Sequence, residues 1–241
     1  MVGTFLNVAA VLVGGVLGLL FGSRLPERVR QTIIAGLGLF TGSLGLQMFF
    51  KTENAIIVLG SLLVGGLLGE WWKIEDGLRG LGAWLEKRFI PQKPGESQPD
   101  LAAANRSRFI QGFLTASLVF CVGPMTILGS IQDGLTGDYN LLAIKSVLDG
   151  FAALAFASTL GVGVLFSTLV ILFYQGGITL LAAQVQSIVT AGMMNEMTAV
   201  GGIMLLGIAV SSLLEIKPIR VGNFLPALAI APLVVWLISL F

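Results

Sequence analysis

The sequence has no histidine and one cysteine, Cys121. The first absence removes the commonest metal ligand, the usual base at neutral pH and every Ser–His or Cys–His nucleophile pair. The second excludes an internal disulfide and leaves too few thiols for a zinc or iron–sulfur cluster, so neither metal nor cofactor is expected. No G-x-x-x-x-G-K-[ST] run is present, which argues against nucleotide hydrolysis. An H-E-x-x-H site is impossible, and no serine–base pair stands out. An aspartyl dyad of Asp133 and Asp149 is the one enzymatic arrangement conceivable, and it would need two carboxyls sharing a proton at close range. The expectation is therefore a protein that is not an enzyme.

Charge is also scarce. Charged residues make up 11% of the 241, against roughly 25% in a soluble domain, so the chain cannot cover a water-facing surface. The net charge of +1 points to no nucleic-acid partner. What fills the sequence instead is apolar: 55% hydrophobic residues and a mean hydropathy of +0.92. Runs of about 18 or more such residues are long enough to cross a bilayer. In lipid the backbone must satisfy its own hydrogen bonds, and continuous apolar runs without strand-like alternation select helices over a barrel. The expected fold is an all-α polytopic bundle in a single transmembrane domain, with the lipid bilayer as its surroundings.

The clearest spans are 4–22, 32–50, 55–72, 109–130, 197–214 and 221–240. The N-terminal run has no basic residues before it and no A-x-A site after it, and so reads as a retained first span. Between the third and fourth runs, 73–108 is the only sizeable polar segment. Ile74, Leu78, Leu81, Leu85 and Phe89 recur there at helical spacing opposite Glu75, Arg79, Glu86 and Lys87, beside Trp71, Trp72 and Trp84. That pattern predicts an amphipathic helix along the membrane surface, followed by a flexible loop at 91–100.

Segment 140–176 is too long for one upright helix: 37 residues rise about 55 Å, against a hydrocarbon core of ~30 Å. If it breaks near Ser158–Gly163 the spans number eight, otherwise seven. With the break, loops 23–31, 73–108 and 215–220 share one side and carry 12 of the 14 Lys and Arg residues; without it the division is 10 against 4. The positive-inside rule favours eight spans with both termini outside the cytoplasm. Residues 35–70 also resemble 199–232, Gly60-Ser61-Leu62-Leu63 falling on Gly222-Asn223-Phe224-Leu225. In eight spans the candidate repeats, 1–72 and 160–241, run in opposite directions, an arrangement recurrent among transporters.

Glycine numbers 32, with helical spacing at Gly14, Gly18 and Gly22, at Gly38, Gly42 and Gly45, and at Gly65, Gly66 and Gly69. Small residues so placed let helices approach closely in lipid, within one bundle or between protomers of a homo-oligomer. The least ordinary stretch is 121–134, CVGPMTILGSIQDG. Pro124 cannot continue a hydrogen-bonded helix, and Thr126, Ser130, Gln132 and Asp133 place oxygens beside the break. A broken helix of that kind either coordinates a cation or polar solute, or is a kink with Asp133 and Asp138 solvated in a loop. Lys145 and Asp149 stand one turn apart, as a self-neutralising interfacial pair or with Asp149 carried toward the bilayer interior as a functional carboxylate. Glu196 fits a helix-start carboxylate or an exchange site. Asn223 lies in the last span beside Pro226, where its amide needs partners. Asn7, Gln47 and Gln175 are similar, and Glu70 reads as interfacial. The candidate ion- or solute-binding set is Thr126, Ser130, Asp133, Asp149, Glu196 and Asn223.

The stretches GPMTILGSIQDGLTGD (123–138), KSVLDGFAALAFASTLGVGVLFS (145–167), EMTAVGGIMLLGI (196–208) and KPIRVGNFLPAL (217–228), with GTFLNVAAVLVGGVLGLLFGSRLPERV (3–29), resemble the prokaryotic membrane family called domain of unknown function 554, the YdfK/YqgA-like group. The resemblance spans nearly the whole chain, 73–108 being its least typical part. It implies a prokaryotic plasma-membrane protein and supplies no substrate and no functional residues. The expectation is a secondary transporter or channel-like permease for a small ion or polar solute. The alternative is a non-catalytic scaffold or subunit whose glycine faces bind other membrane proteins.

Overall fold

Apolar runs become helices throughout the computed structural model, which describes residues 1–22, 26–89, 99–121 and 123–240. The helices are α1 (Val2–Gly22), α2 (Glu27–Phe49), α3 (Ala55–Trp72), α4 (Ile74–Phe89), α5 (Pro99–Cys121), α6 (Pro124–Leu135), α7 (Asn140–Leu160), α8 (Gly163–Leu180), α9 (Ala182–Ile188), α10 (Ala191–Ile208) and α11 (Leu225–Ile238). A π-helical turn at Ala209–Leu213 extends α10, and a 3-10 turn at Val221–Phe224 leads into α11. No strand occurs among the described residues. The chain is an all-helical membrane protein. Seven helices or helix-plus-turn runs are long and apolar enough to cross a bilayer; α5 and α6, bent by 61° at their break, make an eighth if the pair is one broken span and not a re-entrant loop.

The long segment 140–176 does divide. α7 ends at Leu160, Gly161 takes φ +83°, where a Cβ would be strained, and α8 starts two residues later. The expected single span at 109–130 is interrupted instead. Pro124 opens a second helix at its N1 position, where its missing N–H costs nothing, and the chain turns between Cys121 and that residue. The carbonyl of Phe120 is not abandoned at this break, because the Thr126 hydroxyl donates to it at 3.2 Å. The stretch 177–194 holds the end of α8, the short α9 and the first turn of α10. Residues 91–98 of the expected loop lie outside the described residues; Pro99 and Asp100 belong to α5.

Glycine contacts set the helix directions. A Cβ on Gly14, Gly18 or Gly22 would strike the carbonyl of Gly150, Leu154 or Ser158, so α1 and α7 lie backbone to backbone and run parallel. Gly38 faces Leu214 and Gly45 faces Gly202, so α2 and α10 run antiparallel; Gly65 faces Ala227 and Gly69 faces Asn223, so α3 and α11 do too. The three glycine sets noted in the sequence are thus filled by helices of the same chain. With these directions, the ends of α1, α3, α7 and α10 gather at one end of the bundle, together with the starts of α2, α5, α8 and α11. That basic end takes the three loops that carry 12 of the 14 Lys and Arg residues, although Arg24 and Lys93 lie outside the described residues. The N-terminus, loop 50–54 and α9 lie at the opposite end, called the terminal end below.

The amphipathic α4 forms as expected, with Leu85 buried and Trp84 exposed, while Trp71 and Trp72 at the end of α3 project outward. Glu75, assigned to its polar face, is buried. Its carboxylate accepts from Gly222 N at 2.7 Å, which satisfies a free N–H at the turn before α11.

Candidate functional site

The site begins with an amide in an otherwise apolar helix. Asn7, on α1, is fully buried, and its side-chain nitrogen donates to Asp149 Oδ2 on α7 and to Gln175 Oε1 on α8, both at 3.0 Å. The Gln175 nitrogen passes on to Thr4 Oγ1 at 3.3 Å, and Thr4 meets Thr179 Oγ1 at 3.4 Å. Asp149 Oδ2 also receives the ammonium of Lys145, one turn earlier on α7. The pair is buried, with side-chain exposures of 8% for Lys145 and 11% for Asp149. Asp149 is the tenth residue of the 21 in α7, at the middle of its span. The self-neutralising geometry read from the spacing is present, but within the bundle and not at its interface.

α6 brings the other oxygens. Asp133 is buried and accepts from Gly3 N at 3.1 Å and from the Met1 amine at 2.9 Å. It is therefore not a solvated loop residue; Asp138 is, and it caps Asn140 N at 3.0 Å. Ser130 lies one turn before Asp133 on the same face of α6, as Asn7 lies one turn after Gly3 on α1. Ser130 is fully buried, and both its hydroxyl and the Asn7 amide oxygen lack a hydrogen-bond partner. Ser61 and Ser117 share that condition on α3 and α5. The Asn7 oxygen differs because it cannot turn away: its nitrogen is committed to two acceptors, so the amide cannot flip.

On the far side of the α5–α6 break, a cavity of about 1110 Å³ lies between α4, α5 and the end of α10. Arg79, Glu86, Arg106 and Glu215 line its charged part, and its wall descends to Leu118 and Ile208. From Arg106 to Leu118 the helix rises about 18 Å, more than half the ~30 Å hydrocarbon core. The π turn opens onto this wall through Ser211 and Ser212, and Gln111 donates to the Ser212 carbonyl that the irregular turn leaves available. The cavity therefore extends from the basic end to within one turn of Cys121, where the helix breaks.

The family of proteins described as "Protein of unknown function (DUF554)" matches residues 2–236. The chain belongs to that family. It is 35% identical over 230 residues to the uncharacterized protein YqgA of Escherichia coli strain K12, covering 95% of this chain and 94% of that one. It is 31% identical over 245 residues to the uncharacterized membrane protein YdfK of Bacillus subtilis strain 168, covering 100% and 98%. No solved structure matches the chain.

Of the six candidates read from the sequence, this DUF554 chain brings Asp133 and Asp149 against α1, with Ser130 one turn before Asp133 on α6 and Thr126 one turn before Ser130. Glu196 and Asn223 lie elsewhere. Glu196, at the terminal end, accepts from Thr52 Oγ1 at 2.7 Å, Glu53 N at 2.8 Å and Asn54 N at 2.9 Å. It holds loop 50–54 at the start of α3. Replacing Glu196 by Ala should destabilise the fold by about 2–3 kcal/mol, since a charged acceptor of several donors is lost; thermal unfolding in detergent reads this directly. Asn223, at the basic end, accepts from Glu75 N at 2.8 Å and donates to Glu70 at 2.6 Å, where Arg220 also pairs with Glu70 at 2.6 Å. The sequence reading underweighted Asn7 and Gln175. The signal was available: α1 carries no ionisable side chain, so an amide inside it must meet a polar partner from another helix.

Proposed function

We propose that the chain is a secondary transporter or channel-like permease for a small ion or polar solute, working without enzymatic chemistry in a prokaryotic plasma membrane. The observation that carries this reading is the buried polar cluster of Asn7, Lys145, Asp149 and Gln175, with Asp149 at the middle of α7. It holds an ion pair and one polar atom without a partner, the Asn7 amide oxygen, inside the bundle, where ionisable groups are costly and functional by default. A break in the neighbouring helix and a cavity descending to it from the basic end lend the cluster a route. The opposite directions of α2 and α10, and of α3 and α11, agree with reading 1–72 and 160–241 as inverted copies.

Purified protein in liposomes tests the proposal. Flux of an ion or small polar solute is expected above protein-free vesicles, and Asp149→Asn should lower it by at least ten-fold. Absence of flux across monovalent ions and small polar solutes would overturn the reading, and flux untouched by Asp149→Asn would remove the site from it.

A further inference from the structure

The cavity between α4, α5 and the end of α10 changes from charged to apolar with depth, on two walls that run in opposite directions. One face of α5 lines it at Arg106, Ile110, Gln111, Leu114 and Leu118, passing from a guanidinium and an amide to leucines. The other wall passes from Ile208 through Ser211 and Ser212 to Glu215, so its charge also lies at the basic end. α4, whose amphipathic pattern suits the headgroup level, supplies Arg79, Glu86 and Lys87 to the charged part. A charged mouth above a wall about 18 Å deep is the order of groups in one leaflet, whose hydrocarbon is ~15 Å thick.

The mouth carries both signs of charge. Arg79 pairs with Glu75 at 3.0 Å, and the Glu75 carboxylate also holds Gly222 N. Arg106 stands 3.5 Å from Glu86, too far for a well-formed hydrogen bond, so its guanidinium keeps donors to give. Lys87, next to Glu86 in the chain, and Glu215 enter no ion pair among the described residues. Glu215 also takes φ +52° just past the π turn, a strain that glycine would relieve.

We propose that this cavity binds one phospholipid whose headgroup carries both a phosphate and a primary ammonium, as phosphatidylethanolamine does. Arg106 and Lys87 take the phosphate, Glu215 takes the ammonium, and an acyl chain lies along Leu114, Leu118 and Ile208. A choline head has no N–H to give Glu215, and a glycerol head brings no cation to it. Seated there, the lipid fills the cavity that leads toward the α5–α6 break. It is a plug of that route and not the transported solute.

The test uses the purified full chain, delipidated in detergent, with phosphatidylethanolamine, phosphatidylglycerol and phosphatidylcholine of identical chains. Binding is read by thermal shift and native mass spectrometry. Phosphatidylethanolamine should bind about five-fold more tightly than the other two, the worth of one exposed ion pair. Lys87→Gln should weaken all three lipids, since each has the phosphate. Glu215→Gln should erase the preference and leave phosphatidylglycerol bound as before or more tightly. Both side chains are exposed, so both variants should fold. Glycerophosphoethanolamine, the same head without chains, should give no shift at the concentrations where the lipid does. Equal affinity for the three lipids, the mark of lipid packed around any membrane protein, would overturn the proposal. So would a preference for phosphatidylglycerol, or one for phosphatidylethanolamine that survives Glu215→Gln. None of these measurements needs flux: its absence leaves the lipid site standing, and absence of lipid preference leaves the transport reading standing.

Discussion

Asp149→Ala is expected to destabilise the bundle by about 3–5 kcal/mol, because it strands the Lys145 ammonium inside the protein and removes one acceptor of the Asn7 amide. The cost should come from the orphaned charge and not from lost packing. The double substitution Lys145→Met with Asp149→Leu should then recover most of the stability while flux stays abolished. A double-mutant cycle in detergent, read by thermal or denaturant unfolding, separates the two contributions. If the double variant is no more stable than Asp149→Ala alone, the ion pair is not what the carboxylate serves.

The second large effect concerns the backbone contact that brings Asn7 to Asp149. A methyl on Gly14 would run into the Gly150 carbonyl, and one on Gly18 into that of Leu154. Backbone atoms cannot rotate aside as a side chain can. Gly14→Ala should therefore cost about 1–3 kcal/mol, the range for overpacking a filled core. Gly14→Leu should prevent recovery of monodisperse protein. Gly60→Ala is the control, since nothing lies within 4 Å of a Cβ there, and its effect should stay within about 0.5 kcal/mol. Size-exclusion profiles and melting curves of the three variants decide the matter. A Gly14→Ala protein as stable as Gly60→Ala would mean that α1 and α7 are not in backbone contact.

The same contact explains why parts of the site escaped the linear sequence. Asn7 and Asp149 are 142 positions apart, and nothing in either neighbourhood announces the other. Lys145 and Asp149 were legible as a helical pair from spacing alone, but spacing does not say whether the pair faces lipid headgroups or a bundle interior. Their burial follows from the glycines of α1, which draw α7 against them. Glu196 illustrates the converse. A carboxylate at the start of an apolar run has one appearance in sequence whether it binds an ion or ties a loop, and only the three donors of 52–54 distinguish the cases. Glu75 was read as solvated because its neighbours on α4 are polar, while the free N–H of Gly222 that it satisfies comes from a turn 147 positions away.

The sequence by itself determined that this protein lives in a bilayer and that it is helical, and its basic residues favoured a division of 140–176 that collects the basic loops on one side. Each follows from local composition and from the lack of hydrogen-bonding solvent in hydrocarbon, which forces long apolar runs into closed helices. Only the tertiary structure decided which polar residues share a site. In lipid, helix pairing is chosen by the fit of small residues and by polar groups seeking partners, not by hydrophobicity, and that fit depends on surfaces far apart in the chain.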